Sequence, residues 1–335
     1  MDNLFNYIKT VYRLLKSRYQ MVKTLPSVFG FEMTTRCNSQ CPMCARREIE
    51  NIPQYDMEFE IIEKVIMEVK DWYQGRTLFN LTGLSEPTLY PKLVDAVALI
   101  KNHIPQAKVK IITNAIDLNE NLSARLIKAG LDQITISLNG VNKVDYLKLN
   151  GVDEYENVLI NIESLIRNRA NGNTAHPILN INLKIHEGNI EDIPQARLHW
   201  SKIILKSDGI SISEILPLTK SGDTNFFRNS TIKNRYPCTH LWGEVKLDVN
   251  GNIYPCDGKV MDYNFREKSE LFLDNINETT INNAYLSQKV SWFRKKHLQN
   301  DIKSLPTCVQ CPIWSIFPNV WIANRFLPLL KRKWL

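Results

Sequence analysis

The chain has 335 residues, 44% hydrophobic and 23% charged, an ordinary globular composition with length for one large domain and a smaller one. No stretch approaches the ~18 uninterrupted apolar residues of a spanning helix, and the N-terminus lacks the apolar core and small-residue cleavage site of a signal peptide. The formal charge of +7 sits at the ends, in Lys9, Arg13, Lys16, Arg18 and Lys23 against Asp2, and in Arg325, Lys331, Arg332 and Lys333; the near-neutral body argues against a nucleic-acid enzyme, whose basic footprint lies on its working face.

Leu4, Phe5, Ile8, Val11, Tyr12 and Leu15 recur at helical spacing, so residues 1–27 are expected to hold a basic amphipathic helix over 3–19. From Val28 onward the pattern predicts alternating strands and helices. A strand at Phe29–Thr34 is followed by a cysteine-rich loop and a helix over Glu58–Tyr73. Strands at Thr77–Leu81, Lys108–Ile112, Gln133–Leu138, Leu179–Ile185 and Gly209–Leu216 then alternate with helices over Pro91–Lys101, Leu122–Ala129, Tyr155–Arg169 and Ile193–Ser201, the second of these stopped by Gly130. Such an alternation calls for a parallel sheet, open and doubly wound or curled into a barrel. Residues 219–235 are polar and read as a linker, which puts a boundary near 225 and divides the chain into a core at 28–225, a cysteine-bearing region at 226–318 and a tail at 319–335. A hairpin is expected at Val249-Asn250-Gly251-Asn252.

All seven cysteines fall into two groups. Cys37, Cys41 and Cys44 are spaced C-x3-C-x2-C directly after the first strand, and no fourth Cys or His stands nearby to close the tetrahedron of a structural zinc site. Three thiolates on one tight loop can instead hold three corners of a cubic iron–sulfur cluster and leave one iron open. Cys238, Cys256, Cys308 and Cys311 form the second group; four thiolates suit an iron–sulfur cluster or zinc equally. Ligand thiols of this kind belong in a reducing compartment, and cytoplasm is the expectation.

At Cys37-Asn38-Ser39-Gln40-Cys41-Pro42-Met43-Cys44 the sequence resembles the radical S-adenosylmethionine (radical SAM) superfamily, whose signature is C-x3-C-x-φ-C with φ hydrophobic, here Met43. The resemblance implies a partial (β/α)6 barrel and a [4Fe–4S] cluster whose open iron chelates SAM, cleaved reductively to a 5′-deoxyadenosyl radical by an external flavodoxin- or ferredoxin-like reductant. It extends to the strand ends. Gly83-Leu84-Ser85-Glu86-Pro87 is similar to the family's Gly-Gly-Glu-Pro, where an acceptor meets the SAM ammonium; Leu84-Ser85 stand in place of the second Gly. Thr113-Asn114-Ala115 is similar to Thr-Asn-Gly, and Ser137-Leu138-Asn139-Gly140 to Ser-Leu-Asp-Gly with Asn139 in place of Asp. Met43, Gly83, Ser85, Glu86, Pro87, Asn114 and Ser137 are thus the expected cofactor contacts. Lys184 joins them on alternation alone: it shares a strand face with Asn180 and Asn182, and polar side chains inside a barrel need water, cofactor or substrate. His186, one step beyond, reads as a solvated strand end.

The segment Cys238 to Cys256, with its hairpin, resembles the C-terminal extension called SPASM or its shorter form, twitch. The chain has no cysteine after Cys311, so the resemblance implies one auxiliary [4Fe–4S] cluster held by Cys238, Cys256, Cys308 and Cys311. Every cysteine is then a ligand and none is spare to return a hydrogen atom. That plan is similar to the aminocyclitol dehydrogenases and the molybdenum-cofactor precursor cyclase, and implies oxidation of a small polar substrate; modification of a ribosomally made peptide and radical epimerisation are the alternatives. No residue declares itself as the proton-accepting base. The tail mixes Trp314, Trp321, Phe326 and Trp334 with basic residues, which fits either packing on the barrel or peripheral contact with a membrane surface.

Overall fold

The computed structural model describes residues 25–49, 51–72, 77–215, 235, 237–256, 269–309 and 311. The expected helix over 3–19, the boundary near 225, nearly all of the polar linker and the basic aromatic tail lie outside these residues.

Six strands follow in order: β1 (Val28–Phe31), β2 (Leu78–Asn80), β3 (Lys108–Thr113), β4 (Gln133–Asn139), β5 (Ile178–Ile185) and β6 (Gly209–Glu214). Between them run α1 (Phe59–Val69), α2 (Leu93–His103), α3 (Glu120–Ala129), α4 (Lys143–Asn150), α5 (Tyr155–Asn171) and α6 (Ile193–Ser201). All six strands are parallel, and each lies beside its predecessor in sequence. A doubly wound sheet reverses its order at a switch point; this one does not, and forms the wall of a partial barrel.

Side-chain alternation builds the two faces. Phe29, Phe31, Phe79, Leu81, Ile111, Ile136 and Ile181 are fully buried, in one core with Ile62, Val65 and Ile66 of α1 and Val97 and Ile100 of α2. Each such burial contributes roughly 1.5–3 kcal/mol. The opposite, inner face of β4 to β6 is polar and half-buried: Thr135 and Ser137, then Asn180, Asn182 and Lys184, then Ser211 and Ser213.

The helices end where local chemistry stops them. Asn119 caps α3, and Gly130 ends it at φ +90°. Asn142 caps α4, and Gly151 ends it at φ +69°. The helix α4 is unanticipated by the sequence pattern, because its buried residues include Asp145 and Asn150 while Val144 is 80% exposed.

The C-terminal region is continuous with the barrel sheet. Strand β7 (Glu244–Leu247) pairs in parallel with β1 on the side away from β2, and β8 (Asn252–Tyr254) and β9 (Asp274–Asn275) add antiparallel. The expected hairpin turn is present: Asp248 Oδ1 accepts from the Asn250 and Asn252 amides, with Gly251 at φ +79°. Three helices follow, α7 (Ile281–Tyr285), α8 (Gln288–Leu298) and the single-turn α9 (Pro306–Val309). Glu68 of α1 accepts the Ile281 and Asn282 amides at 2.8 and 2.9 Å, a carboxylate seated at a helix N-terminus. A second, small core gathers Leu241, Tyr254, Leu271, Phe293, Ile302 and Leu305. Among the described residues no helix is long and apolar enough to cross a membrane.

One buried ion pair ties α5 to the loop before β6. Arg169 and Asp208 are 1% and 0% exposed and meet through two bonds of 2.8 Å; Asp208 also accepts from the Leu179 and Leu205 amides. Removing one partner strands a charge, whereas removing both need not. Asp208→Ala is expected to lower stability by about 3–5 kcal/mol in urea unfolding followed by circular dichroism, and the double change Arg169→Met with Asp208→Leu to recover much of the loss.

Candidate active site

The cysteine loop leaves the end of β1 and is held on both flanks. On the first, Arg36 Nη2 lies 2.7 Å from both Asp56 carboxylate oxygens and 2.6 Å from the Leu89 carbonyl, while the Arg36 carbonyl accepts the Glu86 amide at 2.9 Å. On the second, Asn38 donates to Asp117 at 2.8 Å and accepts from Asn114 Nδ2 at 2.7 Å. Between the cysteines, the Asn150 carbonyl accepts from the Gln40 amide at 2.9 Å and from Ser39 Oγ at 3.0 Å. The Asn150 side chain is fixed in turn: Nδ2 donates to the Leu138 and Tyr146 carbonyls, and Oδ1 accepts from Asn139 at 2.7 Å while lying 3.7 Å from Cys41 Sγ. Asn139 takes the left-handed conformation at φ 61°, which Asn tolerates better than most residues. At Gly151 a Cβ would stand 2.4 Å from the Gln40 carbonyl oxygen, so both its φ and its packing require glycine.

Cys37, Cys41 and Cys44 are all half-buried. Burial pushes the Cys37 thiol up to about 11 and raises Cys41 as well, so thiolate there needs a cationic partner. Among the described residues no three Cys, His, Asp or Glu side chains converge as a single metal ion requires. Three thiols on one short loop, with no other ligand type among them, are the donor set that suits a cluster, in which each thiolate binds a different iron.

Of the other expected contacts, Glu86 and Asn114 are bonded directly to this loop, through the Arg36 carbonyl and Asn38. Glu86 is 3% exposed, and burial pushes its carboxyl up. Its Oε1 accepts from Thr113 Oγ1 at 2.6 Å, Thr88 Oγ1 at 2.7 Å and the Thr88 amide at 3.1 Å; Oε2 accepts the Asn114 amide at 2.7 Å. The carboxylate thus staples the ends of β2 and β3 together, and only Oε2 keeps acceptor capacity for an ammonium. Pro87 is buried behind it, and Ser85 is half-buried. Gly83 lies against Glu32, where a Cβ would come within 2.4 Å of Cγ, and Glu32 Oε1 accepts the Leu84 amide at 3.1 Å. Met43 and Ser137 are half-buried, and Asn114 Oδ1 accepts the Ile116 amide. Lys184 donates to Ser213 Oγ at 2.9 Å, and Asn182 donates to Ser211 and Ser213. Burial pulls the Lys184 ammonium down, and Cys41 is near enough to act on it in the opposite sense.

His186 is not the solvated strand end expected from the sequence. It is 8% exposed; Nδ1 accepts the Gly188 amide at 3.1 Å, which leaves the proton on Nε2, 2.7 Å from Asp145 Oδ1. Asn189 donates to the other Asp145 oxygen and to the Lys184 carbonyl. This buried set locks the end of β5 to α4, and with Asn150 it went unseen because α4 itself did.

Cys238, Cys308 and Cys311 come together in the C-terminal region. Cys256 and Cys308 pack on the small second core, and Cys238, Cys308 and Cys311 lie close enough for each to disfavour its neighbours' thiolates. Burial pushes Cys238 up to about 11 and Cys308 up to about 12. Two residues absent from the sequence expectations join them. Arg235 donates to the Cys308 carbonyl at 2.6 Å. His297, 2% exposed at the end of α8, accepts the Cys238 amide on Nδ1 at 3.2 Å and sets Nε2 3.4 Å from Cys308 Sγ. Burial pushes this imidazole down to about 4, so it is neutral at neutral pH.

The Asn150–Gly151 clasp yields a separable outcome. Gly151→Ala is expected to cut by more than half the iron bound through Cys37, Cys41 and Cys44 after anaerobic reconstitution, leaving iron at the late cysteines intact. Iron analysis with electron paramagnetic resonance (EPR) of each cluster checks it; full loading of both sites would remove the clasp from the account.

Comparison with known proteins agrees with this geometry. The model of the radical SAM superfamily matches residues 31–188, and that of SPASM, an iron–sulfur cluster-binding domain, matches residues 238–312. The tungsten-containing aldehyde ferredoxin oxidoreductase cofactor-modifying protein of Pyrococcus furiosus is 21% identical over 318 residues, 84% of this chain and 86% of that protein. The crystal structure of BtrN in complex with AdoMet and 2-DOIA superposes with a TM-score of 0.55 at 15% identity, over 86% of this chain and 93% of that one. Native anSMEcpe with bound AdoMet and Cp18Cys peptide gives 0.60 at 15% identity, over 89% and 87%. At such identities the likeness shows the fold. The two domain matches carry with them SAM, a [4Fe–4S] cluster in the barrel and further iron–sulfur binding behind it. An enzyme is thereby identified at family level: the chain belongs to the radical SAM superfamily and bears a SPASM domain after its barrel.

Proposed function

We propose that this enzyme takes a hydrogen atom from a C–H bond of a small polar molecule, of sugar or aminocyclitol type, and then oxidises the resulting radical. The observation that carries the reading is the placement of the thiols: all seven cysteines of the chain lie in the two groups, so none stands apart as a donor to return a hydrogen atom. The polar inner face formed by Asn180, Asn182, Lys184, Ser211 and Ser213 supports a polar substrate, since such groups are costly to bury without partners. BtrN, a neighbour by fold, is in complex with 2-DOIA, which is in keeping with a small molecule.

On this reading Cys37, Cys41 and Cys44 hold the core cluster, and Cys238, Cys256, Cys308 and Cys311 hold one auxiliary [4Fe–4S] cluster. SAM lies along Met43, Gly83, Ser85, Glu86, Pro87, Asn114, Ser137 and Lys184. When bound, the core cluster with SAM supplies a hydrogen-abstracting radical, and the auxiliary cluster supplies a one-electron acceptor. The chain does the rest by placement. Lys184 is a half-buried cation whose hydrogen-bond partner is the neutral Ser213, which suits it to an anionic carboxylate at the mouth. Glu86 shapes the same mouth through Thr88, Thr113 and Asn114. The substrate carbon gives up a hydrogen atom, the radical left there gives up one electron to the acceptor, and the proton leaves from the adjacent hydroxyl or amine, so product lies two electrons below substrate. The core runs to about 225 and the auxiliary domain over 226–318. One further reading has a specific support: anSMEcpe, also a neighbour by fold, is seen with a bound peptide, and a peptide is the rival substrate class.

Anaerobic reconstitution is expected to give about eight irons per chain; zinc at the late cysteines would remove the acceptor. With reductant, SAM and candidate sugars or aminocyclitols in deuterated buffer, one SAM should be consumed per oxidised product, with no deuterium fixed at the attacked carbon. Cys256→Ala should abolish product and leave part of the uncoupled SAM cleavage. An epimerised product carrying solvent deuterium, or a cross-linked peptide, would replace the oxidation.

A further inference from the structure

The late cysteines do not stand alone: a buried imidazole is wedged between two of them. His297 reaches from the last turn of α8 (Gln288–Leu298) toward Cys238 and Cys308, and it is held from both sides. The Cys238 amide donates to Nδ1 at 3.2 Å. A ring nitrogen that accepts an N–H carries no proton of its own, so in the neutral ring the proton is on Nε2. Nε2 lies 3.4 Å from Cys308 Sγ, within reach of an N–H···S hydrogen bond. The tautomer is therefore set by the backbone of one cysteine and directed at the sulfur of another. The surroundings keep it so. Arg235 fixes the Cys308 backbone through its carbonyl at 2.6 Å. Arg294, also on α8, donates to the Leu241 carbonyl at 2.8 Å and lies over the Tyr285 ring, which docks the helix against the residues after Cys238.

We propose that His297 is a positioning residue for the auxiliary cluster, and that its Nε2–H donates to Cys308 Sγ and makes that cluster easier to reduce. Reduction adds negative charge that is shared onto the ligand sulfurs. A donor aimed at one of them stabilises the reduced form more than the oxidised form and raises the potential. Because the ring is buried and its other nitrogen is occupied by backbone, water cannot compete for the same donor. The inference rests on Cys238 and Cys308 holding the auxiliary cluster; it does not need the substrate to be oxidised.

The test uses the full-length chain with Cys37, Cys41 and Cys44 each changed to Ala, so that the auxiliary cluster alone contributes to the spectrum. In this parent, His297→Phe keeps the ring volume and loses the donor, whereas His297→Gln can keep an N–H toward Cys308. EPR-monitored redox titration should show a shift to more negative potential in the Phe variant and a return toward the parent in the Gln variant, at equal iron content. Equal potentials in all three would overturn the proposal. A second readout needs no variant: because the His240 backbone amide also donates to Cys238, the label is confined to the histidine rings, and in protein with 15N in those rings alone the reduced cluster should show weak coupling to a histidine nitrogen, as expected across a hydrogen bond. Absence of that coupling overturns the proposal even if the Phe variant loads no iron. A coupling as large as that of an iron-bound nitrogen also overturns it, by making His297 a ligand. A parent that binds no iron would instead bring down the ligand assignment on which the inference stands.

Discussion

Three thiols on one short loop are held at fixed positions without strands or helices of their own, and the barrel core depends on how that is done. The Asn150 amide supplies much of the answer. Its carbonyl takes the Gln40 amide and Ser39 hydroxyl from the middle of the loop, while its side chain is locked to Leu138, Tyr146 and Asn139 at the end of β4. A loop tethered this way loses its conformational freedom when the chain folds, before any ligand arrives. Asn114 and Arg36 repeat the principle on the flanks, each joining the loop to the end of a different strand or its following turn. The thiols are thereby positioned by hydrogen bonds from neighbouring strand ends and turns.

The same economy of polar groups appears at Glu86. A carboxylate 3% exposed is costly to bury, and here four donors surround it. Because those donors come from the turn after β2 and the end of β3, the group converts two strand ends into one rigid rim. His186, Asp145 and Asn189 do likewise for β5 and α4. The mouth of the barrel is thus defined by buried hydrogen bonds, and the apolar core lies on the other face of the sheet.

How much of this could be read in advance depended on whether the signal was local. The cysteine spacing, the strand ends at Thr113-Asn114 and Ser137, the stop at Gly130 and the hairpin at Gly251 are all local, and each is found where the sequence puts it. Helix α4 was illegible for a physical reason: Val144 and Leu147 face outward while Asp145 and Asn150 are buried beside Tyr146 and Leu149, so apolar and polar residues share both faces and no amphipathic stripe stands out. With α4 hidden, the burial of His186 and the clasp at Asn150 were hidden too. The Arg235–Cys308 and His297–Cys238 contacts span tens of residues of chain, and no periodicity announces a pairing of that kind.

The pairing of β1 with β7 carries a consequence for how the two metal regions relate as parts. Strand β1 runs directly into the cysteine loop, and β7 follows directly on Cys238 and its short helical turn. The first cysteine loop and Cys238 are therefore mounted next to adjacent strands of one sheet, which hydrogen bonds join directly. Had the auxiliary region been a detachable module, its loss would leave the barrel complete. In this architecture its loss would turn β1 into an open edge, with the backbone groups of residues 28–31 unpaired on that side. The C-terminal region is thus also the cover of the barrel's first strand, and a distortion at either cysteine group reaches the other through a shared hydrogen-bond ladder.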